Sequence, residues 1–284
     1  MYSGVEKVET EGMVAREQDL LTGKWVDLRT NVRFKVCHQA GKTPAIVFLH
    51  GGLGNRFNWR YQYEFFAHRG REVLVYDLAG HGDSTPYTRY SLGRHCRDLT
   101  RLLEIYGLQE PILCCHSYGV PLGLEWAIQN QVKGMILIAG GTHDLDPWWE
   151  VPMMKTMKWL GRHLFHFPLV QNISNYLSTS HNHELINRFL QESPVPKEIH
   201  AYEALEIFWG YNFFERHQSR EVFQNPVLVI TGGEDPTFNK NMGDNLTDYF
   251  PQGNHFHLER AGHLLIAEYA DIVNQVIANW CQSL

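Results

Sequence analysis

Pro111-Ile112-Leu113-Cys114-Cys115-His116-Ser117-Tyr118-Gly119 is the stretch whose reading decides the fold. An apolar run stops at a serine, and a helix-compatible sequence restarts at once. That layout predicts a strand, a sharp turn and a helix, with the Ser117 hydroxyl at the tip. A serine there lies at the end of a sheet and faces the positive end of a helix dipole. Both features suit a nucleophile whose intermediate is an oxyanion. A tight turn needs little bulk two positions to either side of the serine. Gly119 meets that need on one side; on the other, Cys115 stands where glycine is usual, so G-x-S-x-G is matched in part. Gly119 and Gly123 would let the helix lie close on the sheet. Pro121 falls in the first helical turn, where a missing N–H costs little. The bland alternative is a turn serine with no chemistry.

A serine hydroxyl is a poor nucleophile at neutral pH. It needs an adjacent base, and the base needs an orienting acid. Pro226-Val227-Leu228-Val229-Ile230 reads as a buried strand running into Thr231-Gly232-Gly233-Glu234-Asp235, a turn that carries carboxylates. His255-Phe256-His257-Leu258-Glu259 alternates like a short strand, and Arg260-Ala261-Gly262-His263 follows it. Asp235 and His263 are therefore expected at the ends of successive strands, where side chains converge.

Outward from these points, apolar runs near 45–49, 73–76, 111–116, 134–139, 226–231 and 255–259 read as strands. Helices are expected near 57–69, 91–106, 118–129 and 264–281. Strands that are apolar throughout, separated by helices, imply a parallel sheet covered on both faces. Segments 24–29 and 32–38 predict an antiparallel hairpin at the sheet's start. In the last helix Leu265, Tyr269, Ile272, Val273, Val276, Ile277 and Trp280 follow i, i+3/i+4 spacing, which gives one buried face. From about Gly141 to Gln224 the alternation breaks down, and the stretch is rich in tryptophan, phenylalanine and methionine.

On these motifs the chain resembles the α/β-hydrolase superfamily, in its serine-nucleophile, esterase- and lipase-like branch with a helical cap. His50-Gly51-Gly52-Leu53-Gly54 is similar to the family's oxyanion loop. Asp77-Leu78-Ala79-Gly80-His81-Gly82-Asp83-Ser84 is similar to its D-x-x-G-x-G-x-S loop. Gly232 to Asp235 is similar to its G-x-x-D acid turn, and Gly262-His263 to its Gly-His pair. The resemblance runs from about Lys24 to the C-terminus and is interrupted by the cap. It implies a mostly parallel, doubly wound α/β sheet, with residues 1-140 and 225-284 as the core and 141-224 as a helical lid. It also implies roles. Ser117 would attack an acyl carbon, His263 would take and return the proton, and Asp235 would orient the imidazole. The N–H of Tyr118 would form half of an oxyanion hole, and that of Gly52, or else Leu53, the other half.

Alternatives stand at several of these positions. Glu234 competes with Asp235, as do Asp144 and Asp146 after the preceding strand. His255 and His257 compete with His263 but lie inside a strand pattern. His50 and His116 are expected to hydrogen-bond the loops beneath the site, and His81 to be a surface turn residue.

The resemblance implies cleavage of an ester, thioester or related acyl bond in an apolar small molecule, with no cofactor. Dehalogenases and epoxide hydrolases of this superfamily use aspartate at the elbow, so the serine speaks against both. C–C bond hydrolases of diketo acids and aminopeptidases remain serine-dependent alternatives. Gly51-Gly52 resembles the proline iminopeptidase loop, whose usual proline is Leu53 here. A ligand receptor that keeps the hydrolase shell is a reading of a different class.

Composition sets outer bounds. With 284 residues, the chain can bury one large core plus an inserted subdomain. Its net charge of -6, with lysine and arginine scattered, speaks against nucleic acid or an anionic membrane as the main partner. No apolar run approaches membrane-spanning length, and Met1-Tyr2-Ser3-Gly4-Val5-Glu6 does not open a secretory signal. Five cysteines without repeating spacing read as free thiols of a reducing, cytoplasmic environment. Pairs such as His163/His166, His181/His183 and His255/His257 invite a metal. The zinc-helix pattern begun by His183-Glu184 lacks its second histidine, because residue 187 is Asn, so no metal is expected. Nothing in the sequence sets an oligomeric state.

Overall fold

The computed structural model describes residues 21–142, 183–193, 199–209, 211–217 and 223–284, with 145, 148–149, 151–153, 155–156 and 159. Among them are β1 (Lys24–Arg29), β2 (Val32–Gln39), β3 (Lys42–Leu49), β4 (Arg71–Tyr76), β5 (Ile112–His116), β6 (Gly134–Ile138), β7 (Val227–Gly232) and β8 (Gly253–Leu258). They form one sheet in the order β1-β2-β4-β3-β5-β6-β7-β8. β1 and β2 form the expected antiparallel hairpin, and β2 joins β4 antiparallel. Every other pairing is parallel.

The helices are α1 (Arg60–His68), α2 (Leu92–Tyr106), α3 (Gly119–Gln129), α4 (His183–Glu192), α5 (Ile199–Leu205), α6 (Phe213–Arg216), α7 (Lys240–Tyr249), α8 (Leu265–Glu268) and α9 (Ala270–Cys281). Strand alternation divides the core in two. Val47, Leu49, Leu113, Cys115 and Leu137 face one side, where α2 and α3 add Leu99, Leu102, Val120 and Trp126. Ile46, Phe48, Ile112, Cys114 and Ile136 face the other, where α1 and α9 add Tyr63, Phe66, Val273 and Ile277. Full burial of each large aliphatic side chain contributes about 1.5–3 kcal/mol. That two-sided burial is why β5 and β6 carry no polar alternation. Caps close α2 at both ends: Ser91 accepts from the N–H of Arg94 at its start, and Gly107 ends it in the left-handed region at φ 67°.

Two expectations are corrected, and one helix is not foreseen. The helix foreseen over 264–281 is broken into α8 and α9 at Tyr269, whose φ is -126°. Helix α7 has no forecast in the periodicity, because only Met242, Gly243 and Leu246 are buried along its polar length. It forms because it packs on β7 and β8, and Gly243 permits the approach: a Cβ there would lie 2.7 Å from His255 Nε2. His81 is buried, not a surface turn residue, with Nδ1 donating to Ala79 O at 3.2 Å.

Between β6 and β7, where the lid is expected, the described segments are largely helical, including α4, α5 and α6. A short turn, Glu206–Phe208, continues α5. Asp144, Asp146, His163, His166 and His181 lie outside the described residues.

Candidate active site

The order of the strands makes the crevice. β3 lies between β4 and β5, so the parallel strands are added to one side of β3 and then to the other, and such a switch leaves a cleft beyond the carboxyl ends of the strands. Leu49 pairs with Cys115, which puts the His50–Gly54 loop beside Ser117.

Ser117 has φ 51°, a left-handed conformation that costs a non-glycine residue about 1–2 kcal/mol. Surrounding bonds enforce it. Its N–H donates to Ile138 O at 2.9 Å, and its carbonyl accepts from Val120 N at 2.9 Å. Two close approaches make the turn possible: a Cβ at Gly140 would lie 2.7 Å from Ser117 Cα, and one at Gly119 would strike the Leu49 carbonyl. Cys115, the departure from the motif, is accommodated at Gly123, where a Cβ would overlap Cys115 Sγ.

The structure brings three of the sequence candidates together. Ser117 Oγ lies 3.1 Å from His263 Nε2, and His263 Nδ1 lies 2.9 Å from Asp235 Oδ2. Burial alone would raise the Asp235 pKa; the hydrogen bonds and charge of His263, with the Thr237 bonds, outweigh it and hold the carboxylate below its ordinary range. An ionised carboxylate only accepts, so Nδ1 carries the proton and Nε2 is left to accept from the serine. Glu234 is exposed, whereas Asp235 is buried. His255 and His257 bond to Thr231, at 2.7 and 2.8 Å, rather than to this cluster.

The loop candidates lie against the elbow. A Cβ at Gly51 would be 2.9 Å from Ser117 Cβ, and one at Gly52 would overlap the rings and side chains of Tyr118 and Leu205. Leu53 takes φ 58°. Tyr118 is the N-cap residue of α3, so its N–H belongs to the positive end of that helix. His50 ties this loop to the next one: Nδ1 donates to Gly51 O at 2.8 Å, and Nε2 accepts from Leu78 N at 3.0 Å. His116 Nε2 donates to the carbonyl of His263 at 2.9 Å, which fixes the backbone that carries the imidazole.

Thr237 belongs to the cluster and has no forecast in the sequence reading. Its Oγ1 is 2.7 Å from Asp235 Oδ1 and 3.0 Å from His263 Nδ1. The signal that could have found it is Asp235-Pro236-Thr237, an Asx-turn pattern in which the acid's own side chain binds N–H groups downstream. The cleft at Ser117 is lined by Tyr118, Pro121, Ala139, Thr142, Phe208 and Phe238. Leu205 sits over Gly52, and the Phe208 ring is 5.2 Å from that of Tyr118, so the turn after α5 roofs the loop. Among the described residues, no cluster of three or more His, Cys, Asp or Glu could hold a metal, and no helix is long and apolar enough to cross a membrane.

Comparison with known proteins adds the family. The family model described as alpha/beta hydrolase fold matches residues 44–269. Bifunctional epoxide hydrolase 2 of Rattus norvegicus is 22% identical over 296 residues, covering 86% of this chain and 53% of that protein. The chain thus spans about half the length of these epoxide hydrolase relatives. The sn-1-specific diacylglycerol lipase ABHD11 of Mus musculus is 26% identical over 245 residues, covering 78% of this chain and 75% of that one. Among solved structures, a thermophilic esterase from Thermogutta terrifontis has a TM-score of 0.79 at 18% identity, covering 92% and 99% of the two chains, a likeness of fold. With its eight-stranded, mostly parallel sheet and a family match from β3 to the end of α8, this chain belongs to the α/β-hydrolase family.

Proposed function

We propose that this chain is a serine hydrolase that cleaves an ester, thioester or related acyl bond of an apolar small molecule through an acyl-enzyme. The observation that carries the proposal is the hydrogen-bonded series Ser117 Oγ, His263 Nε2, His263 Nδ1, Asp235 Oδ2, with steps of 3.1 and 2.9 Å. In the first half-reaction Ser117 attacks the acyl carbon while His263 takes its proton, then passes it to the leaving group. In the second, His263 takes a proton from water, and the resulting hydroxide frees the acyl group. Asp235 holds the imidazole and offsets its charge. The developing oxyanion is bound by the N–H of Tyr118 and by that of Gly52 or Leu53. Loss of one such donor typically costs about 3 kcal/mol of transition-state stabilisation.

The apolar substrate is inferred from Phe208, Phe238, Pro121 and Ala139 around the nucleophile. Residues 141-224 act as the lid in this reading, and 1-140 with 225-284 as the core. Two relatives pull in different directions, toward an epoxide and toward a lipid ester. Chemistry favours the ester. A carboxylate that opens an epoxide leaves an ester, which water can cleave. A serine that does so leaves an ether, which water cannot cleave under these conditions. Among the described residues, none in this site speaks for the C–C bond hydrolase, aminopeptidase or receptor reading in particular.

The test is labelling with a fluorophosphonate and turnover of a chain-length series of nitrophenyl esters. Ser117→Ala and His263→Ala are each expected to lower turnover on the order of 10³-fold or more. Wild-type turnover by Ser117→Ala overturns the mechanism.

A further inference from the structure

We propose that Thr237 is a positioning residue of the relay: its hydroxyl locks the Asp235 carboxylate and the His263 imidazole into one relative orientation. The inference rests on the serine hydrolase reading above.

Thr237 Oγ1 stands between the two partners, 2.7 Å from Asp235 Oδ1 and 3.0 Å from His263 Nδ1. A hydroxyl has one proton to give. The carboxylate can only accept, so that proton goes to Oδ1. The lone pairs of Oγ1 are then left for the Nδ1–H, which is shared with Asp235 Oδ2 at 2.9 Å. Acid, base and hydroxyl thus close a ring of three hydrogen bonds. Two backbone donors converge on the same oxygen of Asp235: Thr237 N at 2.8 Å and Phe238 N at 3.1 Å. Oδ1 therefore has three donors, and Oδ2 is reserved for the imidazole.

The chemical consequence is directional. When His263 accepts the serine proton, its positive charge faces two acceptor oxygens at Nδ1 rather than one. A ring flip or tilt would forfeit both. Because the residue lines the cleft, water reaches the space left by a shortened side chain. The informative variant is therefore Thr237→Val, which keeps the shape and both backbone donors and removes only the hydroxyl.

The experiment measures fluorophosphonate labelling rate, nitrophenyl ester kcat and KM, and the melting temperature of the full chain. Thr237→Val is expected to lower kcat and labelling rate about tenfold, the range of one well-placed hydrogen bond. KM and melting temperature should stay near wild type. Thr237→Ser should restore the rate to within about twofold, because the hydroxyl returns. In an Asp235→Asn background, Thr237→Val should add little, since its partner is already altered. A labelled wild type beside an equally reactive Thr237→Val overturns this proposal alone. So does a Thr237→Ser variant that melts normally yet stays as slow as the valine. A wild type that is not labelled at Ser117 overturns the hydrolase reading, and this one with it.

Discussion

Acidification is expected to unfold this chain through four histidines before its carboxylates protonate. His50, His81, His95 and His116 are buried, the most accessible at 4%. Burial, the largest cause for each, pushes His50 down to about 4 and the other three down to about 3. Histidine in an unfolded chain titrates near 6.5. All four are therefore neutral when folded, and each takes up a proton on unfolding once the pH is below about 6.5. Their folded values are depressed, so the associated stability is complete above that pH and is lost as the pH falls toward about 4 and then 3. One proton changes stability by about 1.4 kcal/mol per pH unit, so four give about 5 kcal/mol per pH unit near pH 5. Total stability of a domain is about 5–15 kcal/mol, so roughly two pH units consume most of it. Urea denaturation followed by circular dichroism in steps from pH 8 to 4.5 measures the slope. Stability should be level above pH 7 and fall steeply below 6. His95→Phe, which removes a ring whose Nδ1 has no hydrogen bond, should lower the slope by one proton. A slope of less than one proton between pH 6 and 5 refutes the reasoning. Activity should be lost with the fold, because His50 holds the Gly51 loop and His116 holds the backbone of His263.

Two further outcomes follow from packing and charge. Gly123→Ala should gain about 1 kcal/mol of helix propensity yet lose about 1–3 kcal/mol to its overlap with Cys115 Sγ, a net loss. Adding Cys115→Ala should recover stability beyond additivity in a thermal-melting double-mutant cycle, and strict additivity would show that the two side chains do not meet. Arg56→Met should cost about 3–5 kcal/mol at pH 7 in chemical denaturation. It takes the guanidinium counter-charge from the fully buried Asp77 carboxylate and leaves it only the N–H groups of residue 56 at 2.7 Å and Asp83 at 2.9 Å. A loss under about 1 kcal/mol would mean that the pair is not coupled.

The sequence by itself determined the strands, the elbow and the candidate residues. A strand buried on both faces is apolar whichever neighbour covers it, so β3, β5, β6 and β7 are legible in isolation. Ser117 is legible because the small and apolar residues that shape its turn lie within a few positions of it. Asp235 and His263 are legible as carboxylate and imidazole just past strand ends. What only the tertiary structure decided depends on surfaces distant in sequence. Helix α7 is too polar to announce itself and exists by packing on β7 and β8. Cys115 is tolerated because Gly123, past the elbow and one helical turn into α3, leaves room for its sulfur. His81 is inside because its ring packs 5.2 Å from that of His50, a residue 31 positions earlier in the chain. Thr237 meets His263 across 26 residues, and His116 meets the His263 carbonyl across 147. Local pattern records which groups a segment must bury or expose. Which groups face one another is set when the sheet closes, since a hydrogen bond requires a distance and an angle that no single segment contains.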